Sequence, residues 1–126
     1  MRYVLAVKSP IYGQQGAFLA YQFAKALIER KHEITQIFFF QDGVTNGNAL
    51  VYPASDEVNL QKCWQDLAMM HQIPLHLCVA ASQRRGIVDT LTAENPENIN
   101  LAEGFTIAGL GEFISATLKA ERVITL

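Results

Sequence analysis

Few side chains in this chain can act as nucleophiles. There are two cysteines, Cys63 and Cys78, three histidines, His32, His71 and His76, and one adjacent arginine pair, Arg84 and Arg85. A cysteine reacts as its thiolate, which nearby cations and helix N-terminal amides favour. Cys78 lies in HLCVAASQRRG, residues 76–86, where the apolar run Leu75 to Ala81 gives way to the two arginines. If a strand ends there and a helix begins, unpaired backbone N–H groups point near the sulfur. Those dipoles, and a guanidinium from Arg84 or Arg85, would hold the thiol ionised. The competing reading is equally physical: a strand-end cysteine is often a small hydrophobe filling a core. The pattern alone leaves both open.

The other candidates are weaker. Cys63 sits on the apolar stripe of a helix beside Trp64 and Leu67, and reads as packing. Arg84-Arg85 could steer an anionic partner or simply be a solvated helix end. His76 alternates with Leu75 and Leu77 on a strand and reads as a structural histidine. Ser9 and Tyr12 could line a site on the following loop, although loop packing explains them as well. The Gly13–Gly16 loop precedes a helix, but neither G-x-G-x-x-G nor G-x-x-x-x-G-K-[ST] is present. Asp56-Glu57 suits the negative charge preferred at a helix start. No zinc-ligand spacing and no nucleophile-elbow motif occur. Two cysteines are too few for a disulfide framework and too far apart for CxxC.

The positioning elements follow from periodicity. Tyr3 to Val7 predicts a buried strand, and Ser9 to Gly16 a turn-rich loop. Ala20, Phe23, Ala24, Leu27 and Ile28 recur at helical spacing, with Arg30 and Lys31 closing that helix. Ile34 to Phe40 predicts a second strand, apolar on both faces as in a covered parallel sheet. Gln41 to Ser55 reads as a polar loop. Leu60, Cys63, Trp64, Leu67 and Ala68 predict a helix over roughly 57–71. Leu75 to Val79 predicts a third strand, Ala80 to Arg85 a short helix ended by Gly86, and Asp89 to Asn100 a mobile loop. Ala102 to Leu110 reads as a further short helix, Phe113 to Ala120 as another, and Arg122 to Thr125 as a last strand. The expected architecture is one α/β domain over 1–126, flavodoxin-like, with four or five mainly parallel strands and helices on both faces. In such sheets ligands collect at the carboxyl ends of the strands. The 41–48 and 89–100 loops are expected to form the rim of the site there.

Composition narrows the function classes. The chain has 126 residues, 50% of them hydrophobic, and a formal charge of -2. It offers no basic footprint for nucleic acid. Its longest apolar runs are too short to span a bilayer. The N-terminus MRYVLAVKSP lacks the features of a signal peptide, so a cytoplasmic setting is expected. The glycine-rich segment 104–113 mixes large and small apolar residues and suits either core or a contact with another subunit.

Taken in chain order, SPIYGQQGAFLAYQFAKALIERKHEI, IFFFQDGV, YPASDE, CVAASQRRGI, GFTIAGLGEF and ERVITL resemble the DsrE-like sulfurtransferase family over nearly the whole chain. PASDE and CVAA-x-x-RRG are the specific stretches. The resemblance implies a sulfurtransferase whose relay cysteine is Cys78, carrying a transient persulfide with no metal or organic cofactor. It implies a heterohexamer with TusB-like and TusC-like subunits, a TusA-like sulfur donor and a TusE-like acceptor. The sulfur would then end in the 2-thio group of the tRNA wobble uridine. Alternatives are a DsrE-type relay subunit of sulfur oxidation, or a non-catalytic assembly or ligand-binding subunit in which Cys78 is structural.

Overall fold

Alternating buried strands and amphipathic helices must wind right-handed in a parallel sheet, and that rule accounts for the layers. The computed structural model describes residues 1–126. Five strands, β1 (Arg2–Val7), β2 (Glu33–Phe39), β3 (Leu75–Cys78), β4 (Phe105–Ala108) and β5 (Arg122–Thr125), form one parallel sheet in the order β4-β3-β2-β1-β5. From β1 to β4 the chain steps in one direction, so α1 (Gly16–Glu29) and α2 (Leu60–His71) share a face. The link from β4 to β5 crosses back over the sheet, so α4 (Leu110–Lys119) lies on the opposite face.

The period-two alternation of the strands sorts their side chains between these layers. Leu5, Val7, Ile37, Phe39, Leu75 and Leu77 join Ala20, Ala24, Leu27, Trp64 and Leu67 in the main core. Val4, Ala6 and Phe38 point the other way and are also buried. There the Phe38 ring stacks on Phe113 of α4, with centroids 4.5 Å apart. The second layer is thin, since no residue of α4 is fully buried.

Two expectations are corrected. Residues 105–108 form edge strand β4 rather than part of a short helix. Phe105 and Ala108 are buried and pair in register with Leu75 and Cys78. The glycines at 104 and 109 bound a strand, and the β-branched Thr106-Ile107 pair is the local signal for it. The stretch after β2 is not wholly a polar loop either. Gln41–Gly47 is a 3-10 helix with Gly43, Val44, Asn46 and Gly47 buried. Its depth comes from Asn46, which is fully buried. The Asn46 amide donates to the carbonyls of Ser9 (3.2 Å) and Gly43 (2.8 Å). Its oxygen accepts from the Trp64 indole N–H at 3.1 Å. A buried polar residue with every group paired can replace a hydrophobe in the core.

Smaller differences have local causes. Helix α2 starts at Leu60 because the Asn59 side chain caps it, accepting from Lys62 N at 3.1 Å. The 89–100 loop contains a short 3-10 turn, Pro96–Asn98, and is tied down at its end. Asn100 donates to the Gly86 carbonyl (2.9 Å) and accepts from Val88 N (2.8 Å).

Candidate functional site

Strand β3 passes into α3 (Val79–Arg84), whose Ala81 joins the main core. The neighbouring strand β4 passes into α4, on the opposite face. Adjacent parallel strands whose exits diverge leave a crevice at their carboxyl ends. Cys78 is the last residue of β3, directly beside Ala108 of β4. It caps the N-terminus of α3 with φ −58° and ψ 130°, and its side chain makes no capping hydrogen bond. Helix α3 has six residues, fewer than two turns. A helix this short offers the free amides of its first turn rather than a long macrodipole.

Cys78 is partly buried and lines a groove of about 380 Å³. Phe38, Phe40, Leu110 and Phe113 form much of its apolar wall. Gln41, Arg84 and Arg85 supply polar groups to the same groove. Gln41 holds φ at +52°, a left-handed value uncommon outside glycine. The chain turns there out of β2, which brings Asp42 to Arg85. The Arg85 guanidinium contacts Asp42 Oδ1 through Nε (3.0 Å) and Nη2 (2.9 Å), and donates from Nη1 to the Ala81 carbonyl at 3.1 Å. Arg85 thus staples α3 to the turn after β2. Arg84 makes no such bond.

The other sequence candidates lie elsewhere. Cys63 packs from α2 against the core and sits by Tyr21. Burial, with the Cys63 neighbour, raises the Tyr21 phenol above its ordinary value. Ser9 is buried and its carbonyl is held by Asn46, while the Tyr12 hydroxyl donates to Glu57 at 3.1 Å. Neither lines the sulfur groove, and neither does the 89–100 loop. Of the two expected rim loops only the first contributes, through Gln41. The Gly13–Gly16 loop offers no phosphate cradle at Gly16, because the space a Cβ would take there is filled by Ser9 Oγ.

A larger cleft of about 860 Å³ opens on the α4 side, toward the amino ends of the strands, where Arg2, Thr35 and Pro74 line it. It contains His76 and Glu112 but no cysteine. His76 Nδ1 pairs with Gln36 Nε2 at 2.7 Å and lies 3.8 Å from Glu112. Burial lowers its pKa, and the opposing pull of Glu112 is the smaller effect. The ring is thus half-buried and held by Gln36. No three His, Cys, Asp or Glu side chains converge as a metal site would need. No helix is long and apolar enough to cross a membrane.

Leu110, Phe113 and Phe38 are the groove residues that motif reasoning passed over. Only the segment 104–113, read as core or contact surface, hinted at two of them. What the geometry can do is hold one partly exposed sulfur in a mostly apolar groove that two arginines also line, one of them already neutralised.

Known proteins share this sequence and fold. The family model described as DsrE/DsrF-like matches residues 1–126. The chain is 75% identical over 126 residues to a Haemophilus influenzae protein named "Sulfurtransferase TusD homolog", covering 100% of both. It is 64% identical to the protein of that name from Pasteurella multocida, again covering 100% of both. "Sulfurtransferase TusD" of Photorhabdus laumondii is 46% identical, with 98% of this chain and 96% of that protein covered. The crystal structure of the ychN protein from E. coli superposes with a TM-score of 0.78 at 26% identity, covering 100% of each chain. Sequence, strand order and relatives therefore converge on one assignment: the chain belongs to the DsrE/DsrF-like family.

Proposed function

We propose that this protein is a sulfurtransferase that relays sulfur as a persulfide on Cys78. The observation that carries the reading is the placement of that sulfur at the divergent exits of β3 and β4, open to a groove. Support also comes from full-length relatives that bear the name sulfurtransferase. In the forward step the Cys78 thiolate attacks the outer sulfur of a donor persulfide, R–S–SH. The donor S–S bond breaks, R–S⁻ leaves with the bonding pair, and Cys78–S–SH forms with its proton kept on the outer sulfur. An acceptor thiolate then takes that sulfur by the same exchange. No external oxidant or reductant is consumed.

The donor in this reading is TusA-like and the acceptor TusE-like. The chain works in a hetero-oligomer with TusB-like and TusC-like subunits, and the sulfur ends in the 2-thio group of the tRNA wobble uridine. The test is mass spectrometry after incubation with a persulfide donor. The expected result is a gain of one sulfur atom on Cys78, abolished by Cys78→Ser and kept in Cys63→Ser. Sulfur found only on Cys63, or on neither cysteine, would overturn the reading. Loss of wobble thiolation in cells carrying Cys78→Ser would tie the chemistry to tRNA, and unchanged thiolation would sever that link.

A further inference from the structure

The consecutive arginines that end α3 are not equivalent, and the difference bears on which sulfur species the groove accepts. Arg84 is the last residue of α3 and Arg85 its C-cap with φ −113°, so the two side chains leave the helix end differently. Arg85 is spent on structure: Asp42 neutralises it, and the Ala81 carbonyl takes one of its remaining donors. Arg84 lines the same groove as Cys78, is exposed, and has neither a hydrogen bond nor a carboxylate within 4.0 Å. No acidic side chain lines the groove, and seven of its eleven lining residues are hydrophobic. Arg84 is therefore the one cation lining the groove that no carboxylate already holds, and it is free to face the charge of the Cys78 thiolate or of an incoming partner. The chain as a whole is weakly acidic, with a formal charge of -2. The attraction is confined to this groove and owes nothing to the overall charge.

We propose that Arg84 positions and selects the incoming sulfur species: the groove takes a persulfide-bearing partner that carries negative charge beside its R–S–SH group, and Arg84 pairs with that charge and with the one that collects on the leaving sulfur. The inference rests on the Cys78 relay reading and specifies its substrate class. The chemistry asks for such a group. As the Cys78 thiolate attacks the outer sulfur, negative charge spreads over three sulfurs and collects on the leaving one. A guanidinium is weakly hydrated and delocalised, so it can follow a diffuse, polarisable anion where an ammonium would hold its water. Arg84 needs no bond to Cys78 to do this. It needs only to stand free at the groove, which its partnered neighbour cannot.

The test uses the full chain and three small disulfide probes that differ in charge: anionic 5,5′-dithiobis(2-nitrobenzoate), neutral 2,2′-dithiodipyridine and cationic cystamine. Each forms a mixed disulfide with Cys78 as its S–S bond breaks, releasing the other half as a thiolate that stays ionised, takes up a proton or, for the pyridine, becomes the thione. Rates are measured in Cys63→Ser, so that only Cys78 reports. The expected wild-type order favours the anionic probe, with a preference that shrinks as salt rises. Arg84→Met keeps the apolar stem and removes the charge. It should cut the anionic-to-neutral rate ratio roughly three- to tenfold, the size of one screened charge pair at a few ångströms. Arg84→Lys keeps the charge and should restore the ratio only in part, because an ammonium holds its water. A purely structural role would slow all three probes alike, and an unchanged ratio in Arg84→Met would overturn the proposal. The two readings fail separately. Sulfur uptake on Cys78 with an unchanged ratio would leave the relay standing and remove Arg84 from it. A lost ratio without sulfur uptake would keep Arg84 as an anion reader and end the relay.

Discussion

Replacing Asn46 by alanine probes the joint that holds the carboxyl edge of the sheet together. The residue is fully buried, and its side chain makes three hydrogen bonds, to Ser9, Gly43 and Trp64. These tie together the segment after β1, the 3-10 helix after β2, and α2. That 3-10 helix begins with Gln41 and Asp42, which wall and brace the sulfur groove. Alanine leaves the Trp64 N–H buried with no other acceptor, which costs about 1–3 kcal/mol, and strips one partner from each of two carbonyls, which costs less because each has a second lone pair. The expected total is about 3 kcal/mol, or a fall in Tm of roughly 10 °C for a chain of 126 residues. Urea denaturation with a double-mutant cycle gives the assay. In a Trp64→Phe background the indole N–H is already gone, so Asn46→Ala should cost about 1 kcal/mol less than in the wild type. Asn46→Asp keeps the shape but aims a second acceptor at two carbonyls. It should be at least as damaging at neutral pH and partly recover on acidification, when a protonated carboxyl regains a donor. A loss under 1 kcal/mol for Asn46→Ala, or strict additivity with Trp64→Phe, would refute the argument that this hydrogen-bonded joint holds the edge.

Two further expectations concern packing and pH. At Gly43 a Cβ would land on the Val7 carbonyl, so Gly43→Ala should destabilise by about 2 kcal/mol or more. Gly111, inside α4 with open space around it, should gain about 0.5–1 kcal/mol as alanine. Denaturant midpoints decide both, and a tolerated Gly43→Ala would contradict the close approach. For His76, burial sets a folded pKa below the ordinary 6.5. Between the two values the unfolded chain binds a proton that the folded chain refuses, so this stability is complete above 6.5 and lost as pH falls through the window. The stability of wild type relative to His76→Asn should fall on acidification from above 6.5 and level off below the folded value, and Glu112→Gln should deepen that fall by removing the carboxylate that favours the charged ring. Parallel curves for wild type and His76→Asn would count against burial as the cause.

The elements that could be read from the sequence are those whose signal is local. Helix α1 announces itself through Ala20, Ala24 and Leu27, and strands β1, β2, β3 and β5 through short apolar runs; each lies within a residue or two of its expected place. Cys78 as the end of a strand running into a helix followed from the same patterning. Strand β4 was missed because it is four residues long at the sheet edge, between glycines that read equally well as helix punctuation. The 3-10 helix after β2 was missed because Asn46 looks like a turn residue until Trp64, eighteen positions away, supplies its partner.

Family membership was therefore carried by residue types and their order along the chain. The places of the two cysteines, Cys78 at a strand end and Cys63 on an apolar helical stripe, were legible in the same way. Only the tertiary structure decided which side chains share the sulfur's groove. Phe38, Leu110 and Phe113 reach it from two elements because the β4–α4–β5 crossover lays α4 across the second face of the sheet. It also separated Arg84 from Arg85. In sequence the two are identical neighbours; in space Asp42, forty-three residues from Arg85, neutralises one and leaves the other free. Periodicity encodes the direction in which a residue faces, whereas a contact depends on what another part of the chain brings to meet it.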